Sequence, residues 1–241
     1  MRNYIIVAAL ILACLSIATK VYAEIYEISD DPTSESSYIE YSHTLSDPFE
    51  KYNRNIFMLN KKVDTCVTQH FILLYKGLLP GPWLQQRIKN FFNNLNEPQY
   101  VINSILQRNA RNVFVALFRF VVNSTLGLFG VFDIAGEKGI RSKPLTFGST
   151  LYKWKGQPGP YLILPFLGPA TARSTAGFIV DFITDPINML IPVKYVYARL
   201  GMELILIKIE YSAIADDIAT MALDEYTMTR SLYSQAQIEE K

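Results

Sequence analysis

Apolar side chains recur at helical spacing along most of this chain, in short blocks separated by clusters of Gly, Pro and Asn. The first block opens at Asp47-Pro48-Phe49-Glu50. Phe49, Tyr52, Ile56, Phe57 and Val63 share one side of a helix, while Glu50, Lys51, Arg54 and Lys61 lie elsewhere. Asp47 has N-cap chemistry, Pro48 suits the first helical position, and Glu50 stands three residues after the cap. A helix from this cap to about Tyr75 is therefore expected, ending before Gly77, Pro80, Gly81 and Pro82. Trp83, Leu84, Ile88, Phe91, Phe92 and Leu95 form the next apolar face, with Gln85, Arg87, Lys89 and Asn90 opposite. Glu97-Pro98 is expected to interrupt it before a short helix from Tyr100 to Gln107.

Val113 to Val122 is the most hydrophobic stretch after the leader, and Arg119 stands inside it. Asn123-Ser124-Thr125 and the glycines Gly127 and Gly130 punctuate the apolar run on its C-terminal side. A charge at mid-bilayer costs several kcal/mol, about 3 or more. This segment therefore reads as a broken helix pair in a membrane interface or a core, not as a crossing. Phe147 to Leu151 and Tyr161 to Leu164 read as strands of one hairpin, turning at Gly156 to Pro160. Pro169 to Ile183 has a helical pattern, Asp185-Pro186 starts a short segment, and the chain is mostly helix from Tyr195.

Residues 1–23 read as an export leader, with Arg2 before an apolar run. Three fates fit it: cleavage between Ala23 and Glu24, lipidation at Cys14 within a loose lipobox, or retention as an anchor. Residues 24–46 form an acidic tether with no Lys or Arg, residues 47–235 the body, and residues 236–241 a tail. Half of the 241 residues are hydrophobic, 13% are aromatic and only 19% are charged. The net charge is +1, and removing the leader makes the balance slightly acidic. Nucleic acid is excluded as a partner, because it demands a basic excess. The apolar surplus points to lipid or to a large buried interface.

Enzymatic chemistry finds little footing. His43 and His70 lack ligand-spaced neighbours, and no nucleophile elbow, phosphate loop or dinucleotide fingerprint occurs, so no metal, cofactor or catalytic residue is expected. Cys66 is expected to be a small buried apolar side chain. Lys138, Arg141, Lys143, Tyr152, Lys153, Trp154 and Lys155 join cations to interface-type aromatics. That mixture suits lipid headgroups, and it equally suits a solvated loop with Trp154 tucked inward.

Several long motifs, in order, carry a resemblance. They are Asp-Pro-Phe-Glu with Asn53-Arg54, then Asn90 to Pro98 with its Asn94-Leu95-Asn96-Glu97-Pro98, then Arg119 to Gly127 with Gly130, Asp133 and Ala135. Phe147-Gly148-Ser149-Thr150-Leu151, Gly159-Pro160-Tyr161, Gly168-Pro169 and Arg173 come next, and Asp224, Tyr226, Arg230, Tyr233 and Gln235 close the set. The set is similar to the MlaA/VacJ family of outer-membrane phospholipid-transport proteins. Ser174 and Ser231 depart from it, standing where the family usually has Asp.

The resemblance implies a mainly α fold: a ring-like assembly of short amphipathic helices with a small β-hairpin, seated in a membrane leaflet. It implies phospholipid as cargo, passed through a central channel from the outer leaflet to a periplasmic lipid carrier. That carrier feeds an inner-membrane ABC-type complex, and a trimeric porin braces the ring. Channel or gate candidates on the matching motifs are Asp47, Asn53, Arg54, Asn94, Glu97, Arg119, Asn123, Gly127, Gly148, Gly159 and Arg173. Phe91, Phe92, Phe114, Phe118 and Trp154 are the membrane-facing candidates, and the Phe147–Tyr161 hairpin is the expected gate, tolerant of bulk at Gly148 and Asn123. A lipid-active envelope enzyme and a structural porin accessory are the competing readings.

Overall fold

The computed structural model describes residues 45–239 apart from residue 80. The leader with Cys14, Ala23 and Glu24, the tether up to residue 44, and residues 240–241 lie outside the described residues. Ten helices and one antiparallel two-stranded sheet are described: α1 Glu50–Val63, α2 Gln69–Leu78, α3 Pro82–Leu106, α4 Ala110–Thr125, α5 Ile134–Glu137, α6 Phe147–Lys153, β1 Tyr161–Leu164, β2 Gly168–Thr171, α7 Ala172–Thr184, α8 Pro186–Leu190, α9 Val193–Met221 and α10 Glu225–Glu239. Among the described residues, no helix is long and apolar enough to cross a membrane.

A π turn, Asp64–Thr68, joins α1 and α2 into one run, with the Gln69 N–H reaching back to the Asp64 carbonyl. Lys208 of α9 grips the Asp64 carboxylate at 2.6 and 2.8 Å, where the extra residue sits. Cys66 rides on this turn and is exposed, contrary to the expectation of burial, because the π turn buries none of its residues. The start of α1 also differs from its expected cap. Phe49 is the N-cap and makes no side-chain bond. The Asp47 carboxylate instead accepts from Asn53 Nδ2 at 2.7 Å and from the Tyr226 hydroxyl of α10, so a tertiary partner outcompetes the local one.

α3 runs unbroken through Pro98. A proline costs a helix interior about 3 kcal/mol. Buried side chains on both sides of it offset that cost by gripping other elements: Asn94 bonds Ser124, Glu97 pairs with Arg119, and Gln99 bonds Asp181. Residues 107–109 lead into α4, which Asn109 caps, and α3 and α4 share the most extensive helix contact. Beyond α4 the chain does not resume a helix at once. Leu128 and Phe129 adopt positive φ of 51° and 59°, and both are exposed at the tip of a turn. Asn94 Nδ2 holds that turn by the Phe129 carbonyl, and Gly130 N–H closes it on the Asn123 carbonyl.

The Phe147 segment is the helix α6, not a strand. Thr146 and Ser149 form a capping box there, which satisfies the free N–H groups that start a helix. The hairpin is β1 with β2, in register from Tyr161 opposite Thr171 to Leu164 opposite Gly168. Pro169 therefore lies in β2, and the following helix starts only at Ala172, after a second capping box of Thr171 and Ser174. Ser174 thus closes the capping box that starts this helix.

Burial is inverted relative to a water-soluble domain. Among the described residues, the hydrophobic core cluster is Tyr161, Ile163 and Tyr226, flanked by Leu45, Ile56, Phe57 and Tyr233. Elsewhere, buried polar side chains such as Asn53, Asn94, Glu97, Asn103, Asn112, Arg119 and Asn123 outnumber buried apolar ones among the described residues. Large apolar side chains, among them Phe71, Leu73, Trp83, Phe114, Phe129 and Leu190, face outward. Helix contacts inside the molecule are consequently made largely by hydrogen bonds, which are strong where water is excluded.

Candidate functional site

α3 presents polar side chains on two faces, since Arg87 points about 180° away from Asn96, and Asn90 about 180° away from Gln99, at 100° per residue. A cleft adjoins each face. The larger, of about 520 Å³, is bordered by Arg87, Arg119, Asp133, Glu137, Arg141 and Ser142 among others. Arg119 of α4 sets its floor: Nε donates to Glu97 at 2.5 Å, one terminal nitrogen to the Ile140 carbonyl at 2.6 Å, and the other to Asp133 at 3.2 Å. Ser142 donates to the same Glu97 oxygen at 2.9 Å. Asn123 donates to Asp133 at 2.8 Å and accepts the Ala135 N–H, tying the start of α5 to α4.

The two carboxylates are tuned in opposite directions. Burial pushes the Glu97 carboxyl up by more than Arg119 and Ser142 pull it down. At Asp133 burial also pushes upward, but the Gly136 N–H, Asn123 and Arg119 together outweigh it and hold the group low. The result is a guanidinium fixed between one reluctant and one ready anion, with a fork geometry that lysine cannot supply.

The second cleft, of about 230 Å³, lies between α3, α7 and α9. Arg199 bridges Asp185 at 2.9 Å, Glu203 at 3.0 Å and the Asn96 side chain at 2.5 Å. Asp181 accepts from Gln99 at 2.6 Å, from Asn103 at 2.8 Å and from the Phe147 N–H at 2.8 Å, locking α6 and α7 onto α3. Phe178 and Phe182 give this cleft an apolar wall. Burial, then the charges of Glu97 and Glu203, push the Tyr100 hydroxyl up to about 12.

Of the candidates read from sequence, Arg119 borders a cleft, and Glu97 and Asn123 stand directly behind it. Asn94 holds the turn at residues 128–130 and lines neither cleft. Asp47, Asn53 and Arg54 gather elsewhere. Asn53 clamps β1 through the Tyr161 carbonyl and the Ile163 N–H, and Arg54 pairs with Glu50 and Asp224 at the surface. Gly127 and Gly148 are packing positions: a Cβ at Gly127 would meet the Asn123 carbonyl, and Gly148 lies under Gly177 of α7. A Cβ at Gly148 would stand 3.3 Å from the Ser174 Cα of α7, and Asn123 is buried and bonded to Asp133 and Ala135. Gly159 supplies a positive φ of 70°, and Arg173 bonds the Gly156 carbonyl and Gln237. Phe114, Phe118 and Trp154 are exposed, whereas Phe91 and Phe92 are half-buried and meet edge to face. Arg199, Asp181 and Asn103 were not legible as site residues, because the bonds that join them to other elements, Arg199 to Asn96 and Asp181 to Gln99 and Asn103, span 78 to 103 residues.

A mainly helical body with a polar interior, an apolar exterior and two clefts that hold buried arginines defines a class of protein suited to an apolar surrounding. The chain belongs to the MlaA lipoprotein family, whose model matches residues 45–240. It is 34% identical over 200 residues to an uncharacterised protein of Rickettsia bellii, covering 82% of this chain and 74% of that one. It is 35% identical over 140 residues to the intermembrane phospholipid transport system lipoprotein MlaA of Escherichia coli, covering 56% of this chain and 55% of that protein. A chain solved in work on the structural basis for maintenance of bacterial outer membrane lipid asymmetry superposes with a TM-score of 0.68 at 29% identity, covering 79% of this chain and 96% of that one.

Proposed function

We propose that this protein works in intermembrane phospholipid transport and so maintains outer-membrane lipid asymmetry. The observation that carries the reading is the inverted burial, with Arg119, Glu97, Asn94 and Asn123 inside and Phe114, Phe118, Phe129 and Leu190 outside. An apolar exterior is stabilised by acyl chains, where each large side chain gains about 1.5–3 kcal/mol relative to water. Short helices with polar inner faces offer a headgroup a hydrated route past those chains. In this reading the helices form a ring in the periplasmic leaflet of the outer membrane. Misplaced outer-leaflet phospholipid passes through its polar interior to a periplasmic carrier feeding an inner-membrane ABC-type complex, and a trimeric porin braces the ring. Family membership and the likeness to the Escherichia coli transport lipoprotein support it.

The test is complementation of an Escherichia coli strain lacking its own relative. Expression of this chain is expected to restore detergent resistance and to lower amine-reactive phosphatidylethanolamine on intact cells. Surface phospholipid that stays at the deletion level, with the protein present in the outer-membrane fraction, would overturn the reading.

A further inference from the structure

The larger cleft holds more charge than its internal ion pairs use. Arg119 is matched by Glu97 and Asp133. Arg87 and Arg141 border the same cleft, and among the described residues neither has an ion-pair partner. Glu137 borders it too and pairs with neither of them. Arg87 is held without being neutralised: its guanidinium lies 5.0 Å from the Trp83 ring centre and 4.7 Å from that of Phe132. Its Nε is buried with no acceptor. Aromatic faces fix a cation in place but leave its N–H groups unmatched, and a buried donor without an acceptor carries a desolvation cost.

Two unmatched guanidinium groups and one unmatched carboxylate in one cavity are complementary to a ligand that carries both signs. A purely anionic group would satisfy the arginines but would bring its charge towards Glu137 and Asp133. A phosphate joined to a primary amine satisfies all three groups. At about 520 Å³, the cleft falls within the usual range of small-ligand sites, about 300–1,000 Å³. We propose that this cleft reads the headgroup of a zwitterionic phospholipid, with the phosphate on Arg87 and Arg141 and the amine on Glu137. The inference rests on the phospholipid-transport reading and adds a headgroup preference to it.

The experiment uses the full-length purified protein with detergent micelles holding equal amounts of phosphatidylethanolamine and phosphatidylglycerol, and native mass spectrometry of the retained lipid. Wild type is expected to favour phosphatidylethanolamine. Glu137→Gln should lower that ratio about threefold, the exposed carboxylate being screened by solvent, and Arg87→Gln, whose Nε is buried, should weaken retention of both lipids about tenfold. Glu137 is exposed, so its variant should keep the wild-type melting temperature. Soluble phosphoethanolamine should displace the lipid, and inorganic phosphate should do so far less. A lipid ratio unmoved by Glu137→Gln, or equal displacement by inorganic phosphate, overturns the headgroup site while leaving transport standing. A wild-type chain that retains neither lipid and fails to complement overturns both.

Discussion

At the scale of residues, Arg119 concentrates the energetics. Its side chain is 9% exposed and that of Glu97 is 2% exposed, so removing one partner strands a buried charge, at a cost of about 3–5 kcal/mol. Arg119→Met is expected to lose that much stability in detergent-solubilised denaturant melts. Arg119→Lys should recover only part of it, since one ammonium cannot serve Glu97, Asp133 and the Ile140 carbonyl together. The acid response is set by the neighbouring carboxylates. Asp133 titrates below its unfolded value, so its contribution is present above about pH 4 and is lost as pH falls through the folded value. Glu97 is raised and acts oppositely, its contribution growing as pH falls through its own folded value. Asp133→Asn should therefore flatten the acid limb of a stability-against-pH curve, whereas Glu97→Gln should steepen it. The motif residues Glu97, Arg119, Asn123 and Asp133 were visible in the sequence; their mutual bonds were not. Asp47 shows why. Local rules make it a cap, but its hydroxyl partner Tyr226 lies 179 residues away and leaves no trace in spacing.

Among the elements, the tightest fit is α6 on α7. A Cβ on Gly177 would fall against the Gly148 backbone, whereas one on Gly201 of α9 would meet open space. Gly177→Ala is expected to cost about 1–3 kcal/mol by overpacking, and Gly201→Ala to stabilise by about 0.5–1 kcal/mol through helix propensity; thermal melts of the pair give the contrast directly. Helical periodicity made most helices legible, including the short segment from Pro186 and the long run after Tyr195. It failed where polar side chains overrule local preference. Pro98 stays inside α3 because Asn94, Glu97 and Gln99 are anchored from outside, and the Phe147 segment became a helix because Thr146 and Ser149 cap it. β-propensity around Gly148 carried no information about that cap.

For the molecule as a whole, the apolar surplus was legible in composition but its placement on the exterior was not, because hydropathy reports how greasy a face is and not which way it turns. Membrane partition should track that exterior. Replacing Phe114 and Phe129, 72% and 74% exposed, by Ser removes about 1.5–3 kcal/mol of acyl-chain contact at each position. The double variant is expected to float less with liposomes while keeping its helical circular dichroism. The Asp47 latch carries a further consequence. Residues 45–47, the first of the described body, bond to Arg230 and Ser234 as well as Tyr226, all in the last helix. On a ribosome or a translocase, the opening segment of the body must wait for nearly the entire remaining chain before its carboxylate is matched. Contacts that join such distant parts of a chain form late, so this corner of the body is expected to be among the last to close on folding.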